Sequence, residues 1–70
     1  MGNVKIVVEN TKGDIVKVIT EEGKEIAAEK AKLLIKMQSL KGLRLETIPS
    51  TGKQRIGIVS KDIEVHKYVS

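Results

Sequence analysis

Between two apolar runs lies the densest set of groups able to meet an anion: Ser50-Thr51-Gly52-Lys53-Gln54-Arg55. Hydroxyls, a glycine and two cations in one short segment can contact phosphate oxygens. The segment is not a nucleotide-binding P-loop. The G-x-x-x-x-G-K-S/T spacing is absent, and the surroundings read as a hairpin, not as a strand leading into a helix. Lys53 and Arg55, with Lys12 from an earlier turn, are the candidate phosphate contacts. A solvated turn whose charges keep strand edges apart is the plainer reading of the same residues.

Glu64, His66 and Tyr68 alternate along a late segment and would share one face of a strand. Such a row can in principle move a proton, but no nucleophile or second base stands near it in sequence. An exposed cross-strand cluster accounts for it as well. Glu21 and Glu22 sit at a turn and read as charges at a helix start, not as an acid/base pair. There is no cysteine and only one histidine. A disulfide, a thiolate metal site and a histidine cluster are therefore excluded. The residues predict no catalytic centre, no metal, no cofactor and no small-molecule substrate.

Lys5, Lys12, Lys17, Lys53, Arg55 and Lys61 all belong to expected strands or turns. Hairpins laid side by side would gather some of them into a basic surface for nucleic acid. Glu9, Asp14, Glu46 and Asp62 interleave with them and weaken the field. The one aromatic residue, Tyr68, makes no platform for stacked bases. Any nucleic-acid contact would go to phosphates, with steep salt dependence and little sequence preference.

The elements that must position these groups are legible from periodicity. Asn3 to Glu9 alternates as a strand, and Asp14 to Thr20 follows as a second across the turn Asn10–Gly13. Residues from about Gly23 to Gly42 predict the one sustained helix. Thr20 could cap it, or it begins near Lys24 after a Glu21–Lys24 turn; Gly42 suits a left-handed C-terminal cap. Leu43–Ile48 and Arg55–Ser60 predict two more strands around the turn Pro49–Gly52, and Ile63–Val69 a fifth. The expected fold is one α+β domain over residues 1–70, of order ββαββ(β), with an antiparallel sheet packed against one central helix.

Around that helix Ile26, Leu33, Met37 and Leu40 form one stripe, and Ala27, Ala28, Ala31 and Ile35 a second. The apolar arc exceeds what a single sheet needs. Ala28, Ala31 and Ile35 are the candidate interface of a homodimer, because small residues admit a second backbone closely; packing on the chain's own sheet is the alternative. Val7, Ile15, Ile19, Ile48 and Val59 fall on faces expected to point outward, which suggests that the second sheet face is partly covered.

A chain of 70 residues makes a marginal core, and without a disulfide or metal a partner subunit is the remaining staple. Charged residues at 31% and hydrophobic ones at 40% describe a folded domain, and a net charge of +4 permits acidic partners. The first residues alternate instead of forming a signal peptide, and no apolar run would span a membrane. The expectation is a cytoplasmic, non-enzymatic protein that binds itself and another protein, with nucleic acid as the alternative partner. Compact chains of this kind occur in phage and bacterial genomes.

Overall fold

The computed structural model describes residues 2–67. Strand β1 (Gly2–Glu9) and strand β2 (Ile15–Thr20) pair antiparallel. Asn10 closes the turn between them. Its Oδ1 accepts from the amides of Lys12 at 2.9 Å and Asp14 at 3.0 Å, while Gly13 takes φ +86°. This is the turn that an asparagine and a glycine at these positions favour.

The β1–β2 ladder slips twice, between Val4 and Ile6 and between Val8 and Glu9. The first slip makes Lys5 the extra residue of a bulge on β1, and the second makes Val16 the extra residue on β2. A bulge shifts the alternation by one. Val4 and Val7, three apart, therefore both face the core, at 6% and 0% exposure. The expectation that Val7 points outward with Lys5 is corrected here: strict alternation fails at the bulge.

The stretch expected to open the helix does not. Gly23 takes φ +86°, Lys24 N–H donates to Thr20 Oγ1, and the chain folds back as strand β3 (Glu25–Ala27), antiparallel to β2. Ile26 enters the core opposite Val18. Helix α1 covers only Ala28–Lys36. It ends at Gln38, not at Gly42. Gln38 adopts φ +59°, Ser39 N–H donates to the Leu34 carbonyl and Gln38 N–H to that of Ile35. These two bonds satisfy the last carbonyls of the helix in a Schellman cap.

Leu40–Lys41 forms β4, a two-residue strand parallel to the start of β1. Gly42, at φ +92°, then redirects the chain, and its carbonyl accepts from the amides of Val59 and Ser60. At that φ any L side chain is strained, and a Cβ at Gly42 would also press on Ile63 Cδ1 at 2.9 Å and Ser60 Cβ at 3.3 Å. Strands β5 (Leu43–Thr47) and β6 (Gln54–Ile58) make a separate antiparallel hairpin. Strand β7 (Glu64–Lys67) returns to β1 and pairs parallel with its second half. Of the other residues in the expected fifth strand, Ile63 precedes β7 and is buried in the core, while Tyr68 and Val69 lie outside the described residues.

The result is a small α+β domain with a mixed main sheet of order β3-β2-β1, β4 and β7 both lying on the far side of β1. The expected all-antiparallel sheet is corrected by these two parallel pairings. They arise because long connections return β4 and β7 in the direction of β1. Helix α1 and the β5–β6 hairpin lie against one face of the main sheet. Val4, Val7, Val18, Ile26, Ala31, Leu40, Leu43, Ile56 and Ile63 form the core between the layers.

Candidate interaction surface

Every third or fourth residue of α1 faces the sheet, and Ala31 occupies the centre of that face with no exposure. Ala28 and Ile35 pack against the same core. The stripe expected to join two copies is therefore turned into the chain's own sheet, whose backbone the small residues admit. An interface built on Ala28, Ala31 and Ile35 would have to displace that core.

The opposite side of the helix carries the exposed apolar groups. Leu33 and Met37, one turn apart, are 60% and 70% exposed. Lys30 and Lys36 flank them on the same exposed surface. Beside this face runs a groove of about 630 Å³ between α1 and the start of β6. Lys30, Lys32, Lys36 and Lys53 line it with Leu33, Gln54 and one acid, Glu29. Lys32 lies 3.6 Å from Glu29. Among the described residues Lys30, Lys36 and Lys53 make no ion pair, so the groove holds unmatched positive charge. Ammonium groups and an exposed leucine and methionine supply long-range attraction and apolar burial, which is the chemistry of binding.

The other two candidate phosphate contacts go elsewhere. Lys12 sits in the β1–β2 turn and does not line this groove. Arg55 lies on the outer face of the β5–β6 hairpin, where register places it opposite Glu46. Glu46 Oε1 accepts from Arg55 Nε at 3.2 Å, and its Oε2 accepts from Arg44 Nε at 3.0 Å and Nη2 at 2.6 Å. The hydrogen bonds from Arg44, and then Arg55, hold the Glu46 carboxyl below its ordinary value. Much of the Arg55 charge is thus answered within the hairpin.

Glu64 and His66 do share a strand face, at 3.1 Å and exposed; Tyr68 lies outside the described residues. Sequence reasoning found Lys53 and missed its neighbours Lys30, Lys32 and Lys36. Their spacing marks a polar helix edge, but nothing local says that a hairpin twenty residues later packs beside it. No helix among the described residues is long and apolar enough to cross a membrane. Comparison with protein families, with curated proteins and with solved structures finds no match to this chain.

Proposed function

We propose that this chain is a non-enzymatic interaction module of the cytoplasm, a small regulator or inhibitor that works by contact with a larger protein. Its docking surface is the outer face of α1 with the adjoining lysine groove. The fitting occupant is an acidic, amphipathic protein segment. Its apolar side chains would cover Leu33 and Met37, and its carboxylates would meet Lys30, Lys36 and Lys53. One observation carries this reading: two large apolar side chains stand exposed side by side, at 60% and 70%, with lysines around them. Single exposed apolar residues are ordinary; a contiguous patch with a polar rim marks a binding site.

The test is fluorescence anisotropy with a labelled acidic peptide carrying leucines one helical turn apart, against the same peptide with lysine in place of each acid. The acidic peptide binds and the basic one does not. Leu33→Gln with Met37→Gln weakens binding about ten-fold and leaves the circular dichroism unchanged, as loss of apolar anchors should. Absence of binding by the acidic peptide at low salt overturns the proposal.

The four-lysine groove favours a second reading, a nucleic-acid backbone laid along it, with the Ser50 and Thr51 hydroxyls at the neighbouring turn. Under that reading an oligonucleotide binds with steep salt dependence. Lys36→Glu with Lys53→Glu abolishes its binding, whereas the Leu33 and Met37 substitutions do not affect it.

A further inference from the structure

The main sheet has two lateral edges. One is β3, three residues long and followed at once by the helix. The other is shared along β1 by the two-residue β4 and by β7, whose four residues are all exposed and whose substantial contacts are with β1. Among the described residues nothing pairs with the outer side of β7. An open strand edge presents N–H and C=O groups that another strand can satisfy.

We propose that β7 is a self-association edge: two copies pair β7 with β7, antiparallel, about a two-fold axis at Val65, so that their sheets become continuous. Two independent features of the strand support this partner. The first is the row in which Val65 stands. Across the sheet the register runs Ile26, Val18, Val7, Val65. Exposure along that row is 5%, 0% and 0%, then 43% at Val65. The apolar row continues to the sheet edge and is uncovered only there. A second copy would extend it through its own Val65 and Val7.

The second feature is charge. An antiparallel ladder alternates hydrogen-bonded and non-hydrogen-bonded pairs. A two-fold axis must therefore set one residue opposite its own copy, since any other register would map one kind of pair onto the other. Centring on Glu64 opposes two carboxylates, and centring on Lys67 opposes two ammoniums. Centring on His66 opposes two imidazoles and sets Val65 against Lys67. Of the pairs formed within β7, only the Val65 centre brings unlike groups together, Glu64 of each copy against His66 of the other. Because Glu64 and His66 already lie 3.1 Å apart within a copy, the dimer would close a ring of alternating carboxylates and imidazoles.

Sedimentation of the full chain across the micromolar range tests this edge, and leaves the α1 surface untouched. The wild type shows a concentration-dependent monomer–dimer equilibrium. Glu64→Lys and His66→Glu each raise the dissociation constant about ten-fold, because like or unmatched groups then face each other twice across the axis. An equimolar mixture of the two variants associates more tightly than either alone, since each supplies what the other lacks. Rescue in the mixture cannot come from the contact within one chain. A wild type that stays monomeric, single variants that dimerise as well as wild type, or a mixture no tighter than its parts each overturns the proposal. Hydrogen exchange reads the same edge: amide protection along residues 64–67 rises with protein concentration if the strands pair, and is independent of it if they do not.

Discussion

Glu46, half-buried, accepts three side-chain hydrogen bonds, and glycine is what gives it room. Register sets Arg44 opposite Gly57 and Glu46 opposite Arg55. The Glu46 carboxylate leans diagonally over Gly57, where an added Cβ would lie 2.8 Å from its carboxyl carbon. Both arginines donate to it, and its folded-state value falls below 4.5. A carboxyl depressed by folding contributes stability above its unfolded value and loses that contribution as pH falls through the folded one. Denaturant unfolding of the wild type should therefore weaken on acidification below 4.5, and Glu46→Gln should remove that part of the slope. Gly57→Ala should do the same by pushing the carboxylate off the arginines. At neutral pH its effect on stability should be small, because the group that must move is the end of a flexible side chain.

At the scale of the elements, the outcome turns on which contacts override local preference. The extents of the strands Gly2–Glu9, Ile15–Thr20, Leu43–Thr47 and Gln54–Ile58 were readable within a residue or two. The bulges at Lys5 and Val16 were not, since neither is a glycine or any other residue that marks one. Glu25–Ala27 suits a helix by residue type, yet pairing with β2 and burial of Ile26 make it a strand. The helix stops at Gln38 because Ser39 and Gln38 can close the cap there, four residues before the glycine that looks suited to it. Of the candidate surface, Lys53 was legible from its turn, while Leu33 and Met37 read as members of one apolar stripe with Ile26 and Leu40, and nothing local said that the sheet would take the alanine side. Ala31→Leu measures that choice. It forces a larger side chain into a site with no exposure, and chemical denaturation should show a loss of about 1–3 kcal/mol. If the stripe faced a second copy instead, the substitution would change assembly and leave the monomer's stability intact.

Across the described residues, two layers share a thin core in which only Val7 and Val18 among the large side chains are completely buried. They face each other across the β1–β2 ladder. Val7→Ala should therefore cost about 2–3 kcal/mol, a large share of what a domain this small can hold, and thermal melting should show it as a marked fall in midpoint. Because the other large side chains of the core each retain some exposure, stability here rests on continuity of the sheet more than on depth.

β1 is the strand on which that continuity depends, and its two longest pairings, with β2 and β7, come from very different distances along the chain. β2 follows after one short turn, whereas β7 is reached only after the helix and both strands of the second hairpin. During synthesis the hairpin of β1 and β2 can form as soon as it leaves the ribosome. The other side of β1 keeps an unpaired apolar edge until residues 64–67 have been made, and local hairpin closure is far faster than this distant pairing. For that interval Ile6, Val7 and Val8 stand open to any passing strand. The bulge beside them, by twisting the ribbon and placing Lys5 at its bend, is already in place to discourage a wrong partner.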